Sequence, residues 1–118
     1  MKYHDIEELS TVEVEAAILR NKPIELSTAV LSAALYADSA EWAQGVCERL
    51  ATHPNENVRG NAILGFGHVA RINGKLTESR VRPLIEAALR DDSEYVRGQA
   101  EAAADDVELF LRWRLSRK

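Results

Sequence analysis

Glu56-Asn57-Val58-Arg59-Gly60-Asn61-Ala62 returns 38 residues later as Glu94-Tyr95-Val96-Arg97-Gly98-Gln99-Ala100. Each copy follows a turn rich in helix-starting residues, His53-Pro54-Asn55 and Asp91-Asp92-Ser93. The likeness extends upstream. Segments 40–52 and 78–90 align at the same offset, setting Val46 on Leu84, Cys47 on Ile85 and Leu50 on Ala88. A fainter third copy matches Ile24, Thr28, Leu31 and Leu35 with Val58, Ala62, Gly65 and Val69 at an offset of 34. The longer turn around Asn73-Gly74-Lys75 absorbs the difference. Two-helix repeats of this length signal a stacked array, because one helix pair cannot bury its apolar face alone.

The rest of the chain agrees. Apolar residues recur at helical period, and no alternating β-branched run stands out. Breaks fall at Asn21-Lys22-Pro23, at Asp38-Ser39 and at the three turns already named. Proline cannot continue a helix, while Asn, Asp and Ser accept bonds from the unpaired N–H groups of the next one. Six helices are expected, near 10–20, 24–37, 40–52, 56–72, 77–90 and 94–114. Short connections make neighbours antiparallel. The expected fold is all-α, a single domain over 1–118. It is a short right-handed α-solenoid of about three antiparallel helix pairs, at 10–37, 40–72 and 77–114. Whether the first pair is a true repeat or a cap stays open.

Composition bounds the function. The chain has 118 residues, 46% hydrophobic and 29% charged, enough for one core and a solvated surface. No apolar run is long enough to span a membrane, and no secretory signal pattern opens the sequence, so a cytoplasmic location is expected. The single Cys47 excludes an internal disulfide and a cysteine-based zinc site. Net charge is −4, which argues against nucleic acid as a partner. Residues 1–58 hold 4 basic and 10 acidic side chains, a net of −6; residues 59–118 hold 11 and 9, a net of +2. The acidic half, with Glu7, Glu8, Glu13 and Glu15, repels nucleic acid and attracts a cationic protein.

The segment Val81-Arg82-Pro83-Leu84-Ile85-Glu86-Ala87-Ala88-Leu89-Arg90-Asp91-Asp92-Ser93-Glu94-Tyr95-Val96-Arg97-Gly98-Gln99-Ala100 resembles a HEAT repeat. The family pattern is an apolar first helix often carrying Pro, an acidic turn, then Val-Arg and a later Ala. Residues 53–69 fit the same pattern, including the late Gly. The resemblance covers 40–114 well and 10–37 loosely. It implies the fold and says little of function, since such arrays serve many roles. In such repeats the Arg pairs with acidic turn residues, here Asp91 or Asp92, and with helix carbonyls; this is the preferred reading of Arg59 and Arg97 over an anion grip.

On a helical wheel Val58, Ala62, Gly65, Phe66 and Val69 form the core stripe of the middle repeat. Val96, Ala100, Ala103, Ala104 and Val107 repeat it, and Ile24, Thr28, Leu31 and Leu35 are the expected counterpart in the first. The opposite faces are expected to line a concave binding side. They carry Leu26, Val30 and Ala33; then Gly60, Leu64, Gly67, His68 and Arg71; then Gly98, Ala102, Asp105, Asp106 and Leu109. Glycine inside a helix costs about 1 kcal/mol relative to Ala. The glycines are thus expected to floor a shallow groove, with Asp105 and Asp106 receiving a cation. Trp42 and Trp113 are expected over turns or ends of the stack, and Arg112, Arg114, Arg117 and Lys118 as a solubilising, dipole-complementing tail.

No catalytic constellation is present. His4, His53 and His68 lack metal-ligand spacing, Gly65-Phe66-Gly67 lies within a helix, and Cys47 sits on a core face. No enzyme, metal or cofactor is expected. A small acidic non-catalytic protein offers a surface. The expected role is a protein-binding module, an inhibitor that blocks a cationic toxin or enzyme domain. Some bacterial immunity proteins of toxin–immunity pairs are similar to this chain in size, charge and helical-repeat build. The alternative is a scaffold or adaptor that binds a helix or peptide of a larger complex. Either acts as a monomer or weak dimer, and the sequence leaves open whether the concave face or the acidic half binds.

Overall fold

Ser39, Asn55 and Ser93 each turn a side-chain oxygen onto the first turn of the helix that follows. Ser39 accepts from the Trp42 N–H, Asn55 from Asn57 and Val58, and Ser93 from Val96. These bonds satisfy donors that every helix start leaves unpaired. The structure is a computed structural model that describes residues 5–117. Ser10 and Glu13 close a reciprocal capping box at the first helix. The helices are α1 Thr11–Arg20, α2 Pro23–Tyr36, α3 Ala40–Leu50, α4 Glu56–Asn73, α5 Glu78–Ala88 and α6 Glu94–Leu111. No strand occurs among the described residues. No helix is long and apolar enough to cross a membrane.

Left-handed residues stop three of the helices. Asn21 ends α1, Gly74 ends α4 and Arg112 ends α6. Gly74, at φ 65°, adopts this conformation without a side-chain clash. Arg112 stops α6 at Leu111, short of the expected 114. The chain then returns over its own helix. Trp113 enters the core, the Leu115 N–H donates to Glu108, and Arg117 pairs with Glu101, Asp105 and Glu108. These contacts outweigh one more turn of helix.

α4 is the central element. It packs against α2, α3, α5 and α6, and every residue from 60 to 70 is buried. One cluster of buried side chains draws on all six helices, from Val14 through Leu26, Val46, Phe66 and Ile85 to Val107, with Trp113 over it. The expected stripe of α4 faces this cluster, as does that of α6. The expected stripe of α2 does not. Ile24 is 89% exposed, while Leu26, Val30 and Ala33, assigned to the open face, are in the core. α2 packs against α1, α3 and α4 and is apolar on most of its circumference, so its sequence carries no phase.

Arg59 ties the two sequence copies together. Its Nε and Nη2 each donate to an Asp91 carboxylate oxygen at 2.8 Å, and its Nη1 donates to the carbonyls of His53 and Pro54. The forked guanidinium matches a carboxylate and two turn carbonyls at once. Asn61, fully inside, donates to the Ser27 carbonyl at 2.9 Å and accepts from the Tyr95 hydroxyl and the Gln99 amide. One amide thus joins α2, α4 and α6.

Candidate functional site

A cleft of about 480 Å³ opens where α2, α4 and α6 meet. The end of α2 supplies Leu35 and Tyr36. α4 supplies Leu64, His68, Arg71 and Ile72, spaced so that they share one face. α6 supplies Ala102 and Asp106, one turn apart. The segment before α1 lies at its margin. Ile6 is buried with Leu31 and Leu64, and Leu35 and Ala102 pack on this small cluster. The Tyr36 hydroxyl donates to the Ile6 carbonyl at 3.0 Å, and the Leu9 N–H donates to Ser32 Oγ at 2.8 Å. Glu7 and Glu8, both exposed, follow Ile6 directly.

The cleft is polar at two walls and apolar between them. Arg71 Nη2 lies 3.0 Å from His68 Nδ1. Guanidinium can only donate, so Nδ1 accepts and the imidazole proton sits on Nε2. Burial, reinforced by the Arg71 charge, pushes the His68 pKa down to about 4, so this ring is neutral at pH 7. Burial moves the Asp106 carboxyl the other way, above its ordinary value; Arg71 opposes the rise and Asp105 adds to it. Asp106 makes no hydrogen bond or ion pair with another described residue.

The expected concave set divides. Leu64, His68, Arg71, Ala102 and Asp106 line the cleft. Gly60 and Gly67 do not floor an open groove, because α6 lies on them. A Cβ at Gly60 would stand 2.8 Å from the Tyr95 ring, and one at Gly67 would stand 2.8 Å from Asp106 Oδ2 and 3.1 Å from Ala103 Cα. These glycines set the close approach of α4 and α6. Gly98 is exposed, with open space where its Cβ would be. Asp105 is exposed and bound to Arg117 at 2.9 Å. Leu109 is exposed outside the cleft. Leu35, Tyr36 and Ile72 were not among the expected site residues. Ile72 follows His68 by four residues, which is the signal that would have found it.

The acidic set divides as well. Glu7 and Glu8 face solvent. Glu13 is engaged in the capping box, where the Ser10 backbone and hydroxyl hold its carboxyl below the ordinary value. Glu15 accepts from Arg49 at 2.9 Å and from the Trp42 indole at 3.1 Å, and Arg49 holds its pKa down. Cys47 is enclosed, with its thiol pushed up to about 12 by burial. His4 and Lys118 lie outside the described residues. A second depression, about 530 Å³, lies on the outer side of α1 between Val12, Ala16, Leu19 and Trp42.

No family model matches the chain, and no curated protein matches it. Among solved structures it is similar to a chain in the crystal structure of a CDI complex from Cupriavidus taiwanensis LMG 19424. The two are 26% identical, with a TM-score of 0.78, over 93% of this chain and 97% of that one.

Proposed function

We propose that this chain is a bacterial immunity-type protein, a HEAT-like α-solenoid of three antiparallel helix pairs. It binds and blocks the basic toxin domain of a contact-dependent inhibition (CDI) system. It is non-enzymatic, needs no cofactor, and works in the cytoplasm as a monomer or weak dimer. The likeness to a chain of a CDI complex, over nearly the full length of both, carries the reading. Charge supports it. A net of −4, concentrated before residue 59, favours encounter with a cationic domain. Blocking needs only that the bound chain covers the partner's substrate cleft.

The test is co-expression with the C-terminal domain of the CDI effector encoded in the same genome. The expected result is restored growth and a one-to-one complex on gel filtration. Association should slow by roughly tenfold between low and physiological salt, as steering is screened. Reversal of Glu7 and Glu8 to Lys should slow it further at low salt. Arrested growth together with no complex overturns the reading. A complex formed only with a housekeeping subunit points to an adaptor instead.

A further inference from the structure

The cleft holds a carboxylate that makes no hydrogen bond or ion pair with another described residue; the Arg71 charge acts on it only at longer range. Asp106 is half-buried on α6, beside Ala102 and over the α4–α6 contact at Gly67. Desolvating a charge without a partner is unfavourable, so such a group gains when a cation reaches it. Its neighbour Asp105 is already satisfied by Arg117. From α4, His68 is neutral and Arg71 is turned to it at 3.0 Å, with no ion pair between Arg71 and Asp106. From α2, Leu35 and Tyr36 bring no charge. Asp106 and Arg71 are the charged groups that line the cleft, and the floor of Leu35, Leu64 and Ala102 is apolar. A carboxylate at one end of an apolar trough matches a side chain with an aliphatic stem and a cationic head.

We propose that this cleft seats one arginine or lysine side chain of the protein partner, its stem on Leu35, Leu64 and Ala102 and its cation on Asp106. The partner's nature rests on the reading above; the chemistry of the seat does not. Arg71 tunes the site, since a like charge on the far wall weakens the cation's hold.

The experiment uses small probes on the whole chain, so it needs no toxin. n-Butylguanidinium is titrated into labelled protein and followed by NMR. Saturable shifts are expected at Leu64, His68, Ala102 and Asp106. Asp106→Asn should weaken binding about tenfold, the scale of a charge-assisted contact. Arg71→Gln should strengthen it roughly two- to threefold as repulsion is removed. Ala102→Leu, which fills the trough, should abolish it while circular dichroism and the melting temperature show an intact fold. Butyrate should produce no shifts there. The proposal is overturned if Asp106→Asn binds as well as the parent, or if butyrate binds and loses its hold in Arg71→Gln. Shifts centred on Val12 and Leu19 overturn it too, as does absence of any response. The inhibitor reading is judged separately, by growth protection and complex formation.

Discussion

Arg59 and Arg97 stand at the same place in two copies of one motif, yet only Arg59 reaches a carboxylate. Arg97 holds the carbonyls of Asp91 and Asp92 and is otherwise exposed. Gly60 is covered by Tyr95, while a Cβ at Gly98 would meet nothing. Asn61 is enclosed and bonded three ways; Gln99, its counterpart, is half-buried and reaches back to it. His68 and Asp106 also correspond, and burial shifts both toward neutrality from opposite sides. The difference is what lies on each copy. The second lies on the first, whereas the second has α5 beside it and, among the described residues, the returning segment 112–117 laid toward its far end. Equal residues thus contribute unequally.

The widest expected gap is in pH dependence. The folded His68 pKa is about 4 against an ordinary 6.5. The unfolded chain binds the proton first, so stability is full above pH 6.5 and falls as pH drops toward 4. The loss is on the order of 3 kcal/mol. His68→Gln should remove this slope in urea titrations across that window; an unchanged slope breaks the assignment. Next is the buried amide. Asn61→Ala should cost about 2 kcal/mol, because the Ser27 carbonyl and Tyr95 hydroxyl lose their partner. Gln99→Ala should cost less than about 1. Equal losses in chemical denaturation would mean that the two sites are equally covered.

Gly60→Leu should destabilise by about 1–2 kcal/mol through overpacking against Tyr95. Gly98→Ala should stabilise by about 0.5–1 kcal/mol through helix propensity. Opposite signs in the melting temperature are the readout. Arg59→Ala should cost about 1 kcal/mol, since its pair with Asp91 is only 20% and 17% exposed. Arg97→Ala should cost a few tenths. Asp91, held below its ordinary pKa by Arg59, gives up this contribution only at pH below about 4. The smallest effect has the other sign. Asp106→Asn should raise stability at neutral pH by a few tenths of a kcal/mol, because a carboxyl with a raised pKa weakens the fold as it ionises.

The helix breaks were legible because their chemistry is local. Ser39, Asn55 and Ser93 cap helices from three residues or fewer away. The pairing of Arg59 with an acidic turn residue, Asp91 or Asp92, was legible through the resemblance to a HEAT repeat, and the structure selects Asp91. α2 was not. A helix covered from several sides has no polar face to mark its rotation, so Ile24 and Leu26 exchanged roles. The glycines misled because a missing side chain looks alike whether it opens a groove or admits a neighbouring helix. The partners of the acidic residues were not legible, because charge is counted along the chain but spent in space: Glu13 on a cap, Glu15 on Arg49, Asp105 on a tail residue 12 positions on. Asp106 stayed legible as a candidate since no partner in the described chain claims it.

Cys47 sits where α3 meets the core, and a Cβ at Gly65 of α4 would stand 2.6 Å from its sulfur. It is the chain's single cysteine. Its thiol is enclosed and stays protonated near neutrality, so an alkylating reagent reaches it only when the helices part. The rate of labelling, divided by that of a solvent-facing thiol, is then an opening constant for the centre of the molecule. The fold therefore carries its own clock, readable by mass spectrometry without a dye or denaturant.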